Sequence, residues 1–266
     1  MADSTMPPEF YEAIKPYLPP EKPVGPQGGA PMTPNETVMN VIYFVLTTGI
    51  SWCHVPPQMG CCGETARTRL KLWQKLNVWP KIHQHFVGEL ERLGRLDAEA
   101  IIIDSSHVPA PGGGESTGPS PVNRGKKGTK YSVLTDKNGA PLVIRHNSAG
   151  TSDHAQIVPT ILDLEEQGFD LNDSDSDPGK AYADAGYDSE PTRDRLRYLG
   201  IEPHIRRKGT EHGSHLGRVR WVVERTIGWI KKLRRLQTRY DRHDTILDAW
   251  ESLAASGICY RLATAD

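Results

Sequence analysis

The hydrophobic pattern of this chain changes near residue 98, and that change constrains its fold more than any other feature. Residues 1–97 contain helical runs separated by proline and glycine, such as TPNETVMNVIYFVLTTGI and PKIHQHFVGELERLG. Beyond residue 98 the apolar runs become short and rich in β-branched residues, beginning with AIIID at 100–104. We therefore predict a helical unit over 1–97 and an α/β unit over 98–266.

The α/β unit is predicted to contain a mixed sheet with helices on its faces. KYSVLTD and PLVIRHN are predicted strands, joined at Asn138 and Gly139 by a turn typical of a hairpin. Helices and strands then alternate, with a helix near 153–167, a strand at 180–184 and a final basic helix. Antiparallel strands followed by such alternation are typical of a mixed sheet. The Gly/Pro-rich loop 105–129 is long enough to suggest a functional role.

The helical unit contains a stretch, GETARTRLKLWQKL, that is compatible with DNA binding. Its apolar side is predicted to be Leu70, Leu72, Trp73 and Leu76. Arg67 and Arg69 are predicted to face solvent, after a glycine-rich turn. A helix-turn-helix whose second helix enters the DNA major groove fits this arrangement. A plain helical bundle fits it nearly as well.

Charge is distributed unevenly along the chain, although the formal net charge is −1. Residues 201–242 contain twelve bases and four acids, a density typical of a surface that binds a polyanion, with a solvated helix face as the alternative. No apolar run is long enough to span a membrane, and the first residues do not resemble a secretion signal, so we expect a cytoplasmic protein without a membrane partner. The cysteines show no CxxC spacing, which favours reduced thiols over a zinc site.

Two aspartates are predicted at the ends of strands, where side chains converge at the edge of an α/β sheet. Asp104 follows AIII, and Asp184 follows KAYA. A third acid, Glu224, lies in the basic helix, within about 40° of Arg220 and Lys231 at helical spacing. The simplest interpretation of Glu224 is an i, i+4 ion pair with Arg220. The functional interpretation is that Glu224 joins the two aspartates as a third metal ligand.

Carboxylate ligands without histidine favour hard cations such as Mg²⁺ or Mn²⁺. Two such ions can activate a water or a 3′-hydroxyl group and stabilise the leaving oxygen in an attack on phosphorus. The basic residues around Glu224 would then bind the DNA backbone.

Several blocks of the sequence resemble the DDE transposases of bacterial insertion sequences, in the insertion sequence five group. IIIDSSHV resembles the first-aspartate strand of that family, YADAGYDSE its D-x-G-Y-D block, and GRVRWVVERTIGWIKKLRRLQTRYDRHD its third-acid helix. NVIYFVLTTGISWCHVPP and LKLWQKLNVWPKI resemble its helical DNA-binding segment. The family signature Y-x2-R-x3-E-x6-K is matched at Arg220, Glu224 and Lys231, whereas Gly217 replaces the tyrosine.

The resemblance implies a ribonuclease H-like catalytic domain over 98–266, preceded by a small all-α domain of helix-turn-helix type. It implies that Asp104, Asp184 and Glu224 are the catalytic residues and hold two Mg²⁺ ions, with Mn²⁺ as a substitute. The implied partner is double-stranded DNA, comprising the terminal inverted repeats and the target. The implied reaction is hydrolysis at the element ends followed by transfer of the 3′-hydroxyl strand. Bringing two ends together implies a homodimer or a larger complex.

Candidate DNA contacts follow from the positions of the basic residues. We predict phosphate contacts near the cleavage site for Arg220 and Lys231. The track is predicted to extend along Arg225, Lys232, Arg234, Arg235 and Arg239. Further predicted contacts, in the loop after Asp104 and in the helical unit, are Lys126, Lys127, Lys130, Arg67 and Arg69. Trp229 is predicted to be a core residue, with base stacking as the alternative.

Two other functions remain compatible with the residues. One is a ribonuclease H-like nuclease that uses the same metal-dependent chemistry without strand transfer. The other is a DNA-binding regulator that has lost catalysis, for which decay of the three acids is the expected mark. All three acids are present.

Overall fold

A computed structural model describes residues 4–23, 28, 31–97, 99–166, 179–209 and 216–265. Its helices and strands are labelled in chain order. The helical unit contains α1 (Pro8–Ile14), α2 (Asn35–Thr48), α3 (Gly63–Lys75) and α4 (Val78–Arg92). The backbone explains where α2 lies: Pro34 precedes it, and Gly49 ends it in the left-handed region at φ 70°.

The α/β unit is built on one mixed sheet. Its strands are β1 (Ala100–Pro109), β2 (Gly118–Pro119), β3 (Lys127–Thr135), β4 (Pro141–Ser148), β5 (Lys180–Ala183) and β6 (Glu202–Ile205). The order across the sheet is β4-β3-β1-β5-β6, and the short β2 also pairs with β3. β3 is antiparallel to β1 and β4, whereas β5 is parallel to β1 and β6. The predicted mixed sheet and hairpin are confirmed.

Five helices complete this unit in the described part of the chain. They are α5 (Ile157–Glu166), α6 (Glu190–Tyr198), α7 (Leu216–Lys232), α8 (Arg234–Gln237) and α9 (Asp244–Thr264). The basic helix, α7, packs across β1, β3 and β5. Its buried side includes Val222, Val223, Thr226 and Ile230, whose spacing is that of one helix face. The sheet therefore fixes which side of α7 its charged residues occupy.

The helical unit and the sheet share one hydrophobic core through α9. This helix packs on β4 and also on α3 and α4. The ring of Trp250 on α9 stacks on that of Trp52, with 5.5 Å between the ring centroids. The two sets of elements on either side of residue 98 are therefore packed together. A domain boundary at this residue stays a prediction.

Helix α3 differs in part from its predicted pattern. Leu70 and Trp73 are fully buried, but Leu72 and Leu76 are exposed, which corrects the prediction that all four form one apolar side. Arg69 donates a hydrogen bond to Oδ1 of Asn35 at 2.9 Å and thereby joins α3 to the start of α2.

None of the helices in the described ranges combines the length and apolar character that crossing a bilayer requires.

Candidate active site

Asp104 lies on the central strand of the sheet, directly after three buried isoleucines. Its side chain is 17% exposed, and its Oδ1 accepts a hydrogen bond from the backbone N–H of Ser105 at 2.8 Å. Burial raises the pKa of the Asp104 carboxyl, the charge of Asp184 adds to the rise, and Arg220 opposes it. Asp104 is thus an ionisable group held between an opposite charge and a like charge.

Asp184 is brought to the same edge by the parallel pairing of β1 and β5. Ile102 is opposite Tyr182 in this ladder, so Asp104 and Asp184 each lie two residues further along their chains. Asp184 begins a short 3₁₀ turn, and its Oδ1 accepts the backbone N–H of Gly186 at 2.7 Å. The structure therefore brings together the two aspartates that were predicted at strand ends.

Glu224 reaches this edge from α7, through Arg220. Nη2 of Arg220 lies 3.1 Å from Oδ2 of Asp104 and 3.6 Å from Oε1 of Glu224. The simple i, i+4 ion pair is present, and the same guanidinium also connects Glu224 to Asp104. Glu224 is 59% exposed, which leaves its carboxylate open to solvent.

The three acids do not form a closed chelating group in this structure. Among the described residues, His146, Asp248 and Glu251 are the one group of metal-binding side chains whose ligand atoms all lie within 4.8 Å of one another. Beside Asp104 the positive charge is supplied by the Arg220 guanidinium, which also contacts Glu224.

A fourth acid at this edge was missed by the sequence analysis. Oδ1 of Asp153 accepts hydrogen bonds from Oγ of Ser105 at 2.7 Å and from Nζ of Lys130 at 3.0 Å. A Cβ added to Gly186 would lie 2.9 Å from Oδ1 of Asp184 and 3.3 Å from Oδ2 of Asp153, so the two carboxylates flank this glycine. Asp153 follows a turn rather than a buried strand, which is why strand ends do not predict it.

Tyr187 is a buried tyrosine close to three of these acids. Burial raises the pKa of its phenol well above the usual value, and the charges of Asp153, Asp104 and Asp184 raise it further. Three carboxylates therefore lie near one buried side chain. Tyr187 belongs to the DAGYD block, but the residues alone gave it no role.

Arg225 is held between two tryptophans on the outer side of α7. Its guanidinium carbon lies 4.7 Å from the ring centroid of Trp221 and 4.5 Å from that of Trp229. Its Nη2 also donates to the backbone oxygen of Asn138 at 2.6 Å. Trp221 is half-exposed, and Trp229 is partly buried against the core, so the two rings and the guanidinium form a stacked group at the surface.

Three of the predicted DNA contacts are buried in ion pairs. Arg235 donates from Nε and Nη2 to the two carboxylate oxygens of Asp241, both at 2.9 Å. Arg239 is fully buried and lies 2.7 Å from Asp244. Lys130 is buried and donates to Asp153 and to the backbone oxygen of Thr151. These side chains stabilise the fold and are not available to a DNA backbone, which corrects the prediction made for them.

Other predicted contacts remain at the surface. The exposed ones are Lys126, Lys127, Lys232 and Arg234. Lys231 is partly buried and lies near His107, three residues after Asp104; burial lowers the pKa of His107, and the charges of Lys130 and Lys231 lower it further. In the helical unit, Arg67 is partly exposed and lies 3.5 Å from Glu64.

Two solved structures share low sequence identity with this chain. The catalytic domain of Mos1 mariner transposase is 13% identical, with a TM-score of 0.37, and the match covers 70% of this chain and 86% of that one. The Mos1 mariner paired end complex with Mn is 12% identical, with a TM-score of 0.36, and the match covers 96% of this chain and 83% of that one.

Two curated proteins of Burkholderia cepacia are closer in sequence. A putative transposase for insertion sequence element IS402 is 41% identical over 164 residues, which cover 60% of this chain and 74% of the relative. An uncharacterized 16.2 kDa protein of insertion element IS402 is 35% identical over 124 residues, which cover 46% of this chain and 84% of the relative.

Two family models match different parts of the chain. The model described as a putative transposase of the IS4/5 family matches residues 6–83. The model described as a transposase DDE domain matches residues 95–256, which include all three predicted acids. Given this extent, and the identity to the insertion sequence relative, the chain belongs to the family of transposases that carry a DDE domain.

Proposed function

We propose that this protein binds the terminal inverted repeats of its own element, hydrolyses DNA at the element ends and transfers the 3′-hydroxyl strand to target DNA in the cytoplasm. The observation that carries this proposal is the convergence of three acids from separate elements. Asp104 and Asp184 are at adjacent ends of parallel strands, and Arg220 connects Asp104 to Glu224. Family membership supports the same chemistry.

The residues at the site fit hard divalent cations. All three proposed ligands are carboxylates. The charge of Asp184 raises the pKa of Asp104, so the two carboxylates repel each other, and a cation between them would remove this repulsion. We assign Asp104, Asp184 and Glu224 as the ligands of two ions, Mg²⁺ or Mn²⁺. Such ions would supply activation of the attacking oxygen and stabilisation of the leaving oxygen.

The protein's own side chains would position the DNA around these acids. Arg220 has a guanidinium beside Asp104, where its donors are suited to a phosphate oxygen. Lys231, Lys232 and Arg234 continue from this edge along α7 and α8, so we propose that they follow the DNA backbone. Lys126, directly before β3, and Lys127, its first residue, form a second proposed contact.

We propose that the helical unit recognises the inverted repeats. Arg67 and Arg69 lie on α3 and are the proposed DNA contacts of this unit. Arg69 also donates a hydrogen bond to Asn35, so we propose that it positions α3 in addition to contacting DNA. Synapsis brings two DNA ends together in one complex. We propose that a homodimer or a larger assembly of the chain carries out this step.

The decisive variant is Glu224→Gln, which removes the charge of a half-exposed side chain with little change in shape. We expect repeat-end DNA binding to remain within about twofold and cleavage in Mg²⁺ to be lost, because one charged ligand is missing. Glu202→Gln, an exposed acid on β6, is the matched control and should cleave normally. Cleavage by Glu224→Gln at the control's rate would contradict the assignment.

A second assay separates the proposed function from its rivals. A pre-cut repeat end is incubated with a supercoiled plasmid and Mg²⁺ or Mn²⁺. A transposase yields a joined product, a nuclease yields only hydrolysed DNA, and a regulator binds the repeat without changing it.

A further inference from the structure

A polar cavity of about 370 Å³ lies between β4 and α9, at the opposite edge of the sheet from β6. Its charged lining includes Arg145, His146, Asp163, Asp244, Asp248 and Glu251. β3 separates β4 from β1, the strand that carries Asp104, so this cavity is distinct from the candidate active site.

Three side chains in the cavity have the arrangement of a metal-binding group. One ligand atom from each of His146, Asp248 and Glu251 lies within 4.8 Å of the other two. Nδ1 of His146 lies 3.0 Å from Oε1 of Glu251 and 3.6 Å from Oδ1 of Asp248. Asp248 and Glu251 are three residues apart on α9, which places them on the same face of the helix. The group therefore joins one strand to one helix.

The other ring nitrogen of His146 lies beside a carboxylate. Nε2 lies 3.3 Å from Oδ1 of Asp244. Asp244 is itself fixed by Nη2 of Arg239 at 2.7 Å and by Oγ of Ser116 at 2.5 Å. Histidines that bind metals commonly donate their second N–H to a carboxylate, which turns the free nitrogen toward the ion. Here that contact directs Nδ1 toward Asp248 and Glu251.

The charges of the group are not balanced by the side chains that contact it. Arg239 pairs with Asp244, which leaves Asp248 and Glu251, two carboxylates, facing at most the one positive charge of a protonated His146. Glu251 is almost completely buried, so its charge has little access to solvent. Buried carboxylates are stabilised by a cation at close range. A divalent ion would supply the missing positive charge.

A buried phenol beside the group points to the same conclusion. Tyr131 on β3 is the cross-strand partner of His146 and is 2% exposed. Its hydroxyl has no hydrogen-bond partner within the described ranges, and Glu251 is the charged neighbour that acts on it most strongly. A buried hydroxyl without a partner is costly, and a water bound to a nearby ion would satisfy it.

We propose that His146, Asp248 and Glu251 bind one divalent transition-metal ion, represented by Zn²⁺, and that Asp244 orients the imidazole. Mixed imidazole and carboxylate ligands favour such an ion over Mg²⁺, in contrast to the all-carboxylate active site. The ion would fasten β4 to α9, the helix on which the helical unit also packs. Its role is to hold the two units together rather than to take part in DNA cleavage.

The test is Zn²⁺ binding to the full chain carrying Asp104→Asn and Asp184→Asn, so that the active-site acids contribute little. Asp248→Asn is the informative variant, because Asp248 is 45% exposed and its replacement should leave the fold intact. We expect Zn²⁺ affinity, measured by calorimetry, to fall at least about tenfold in this variant. Asp163→Asn, which lines the same cavity but pairs with Arg145, should bind Zn²⁺ like its parent.

A thermal measurement provides the second readout. Zn²⁺ should raise the Tm of the parent and of Asp163→Asn, but not that of Asp248→Asn. A purely structural charge cluster predicts that Zn²⁺ changes none of the three, and that Asp248→Asn is as stable as its parent or more so. Equal Zn²⁺ affinity in the two variants, or the absence of micromolar Zn²⁺ binding in the parent, would overturn the proposal.

Discussion

The guanidinium of Arg220 on α7 lies 3.1 Å from the carboxylate of Asp104 on β1, although the two residues are 116 positions apart in the sequence. The contact places a fixed positive charge beside a largely buried acid. It also links the basic helix to the central strand, and the same guanidinium lies 3.6 Å from Glu224, one turn further along α7.

Removal of Arg220 should change how cleavage depends on pH. Arg220 lowers the pKa of Asp104, so in Arg220→Gln that pKa rises further and a higher pH is needed to ionise the acid. We expect the acidic limb of the pH–rate profile to move to higher pH, with a larger loss of cleavage at pH 6 than at pH 8. Arg197→Gln, which alters an exposed pair with Asp194, should keep the parental profile. An equal loss at all pH values would argue for DNA contact alone.

Asp153→Asn should lower the stability of the protein. The substitution removes the charged partner of the buried Lys130. It also weakens the hydrogen bond from the hydroxyl of Ser105, the residue next to Asp104. We expect a loss of about 2 kcal/mol in the free energy of unfolding, below the full cost of breaking a buried pair because Asp153 is partly exposed. Urea unfolding measures this loss. Asp194→Asn, on the exposed pair with Arg197, should change stability by less than about 0.5 kcal/mol.

Substitution of two neighbouring arginines in the basic segment should affect different properties, DNA binding for Arg234 and folding stability for Arg235. Arg234 is exposed, so Arg234→Gln should weaken DNA binding and reduce the salt dependence of log K by about 0.9, with unchanged stability. Arg235→Gln leaves the buried Asp241 without its charged partner and should destabilise the protein by about 3 to 5 kcal/mol. Salt titrations of repeat binding and denaturant unfolding, carried out on both variants, compare the two. Equal stability of the variants would contradict this division.

His83 should make folding stability sensitive to acid. Its buried imidazole contacts the backbone oxygen of Pro141 at 2.8 Å, and burial lowers its pKa from 6.5 to about 4. Between these values the unfolded chain binds a proton that the folded chain does not. The contribution is therefore complete above pH 6.5 and is lost as the pH falls toward 4, by about 3 kcal/mol in all.

Unfolding in urea at pH 7.5 and pH 4.5 checks this dependence. His83→Gln should lose part of the difference between the two pH values, whereas His54→Gln, at an exposed position, should keep all of it. A parental protein with the same pH dependence as His83→Gln would refute the assignment to this residue.

Local patterns were sufficient to predict most of the sheet and the positions of its acids. Alternating β-rich runs and the Asn138-Gly139 turn predicted β3 and β4, and the strand-end rule predicted that Asp104 and Asp184 lie together. These features depend on neighbours in the sequence or on the regular geometry of parallel strands. For that reason they could be predicted without knowing how distant elements pack.

The features that the sequence analysis missed depend on contacts between distant segments. Arg235 and Arg239 lie in a basic run and looked solvated, because nothing local shows that Asp241, Asp244 and the start of α9 cover them. Asp153 reaches the candidate active site through a turn, and the direction of that turn cannot be predicted from hydrophobic periodicity. The packing of α9 on the helical unit likewise joins segments well over a hundred residues apart.

The double role of α9 has a consequence for synthesis of the protein. One side of this helix completes the core around α3 and α4, and another closes the sheet at β4. A chain in which α9 is absent would expose the apolar surfaces of α3, α4 and β4 that this helix covers. Neither part can therefore complete its packing without α9, so a chain interrupted before Asp244 should fail to fold cooperatively.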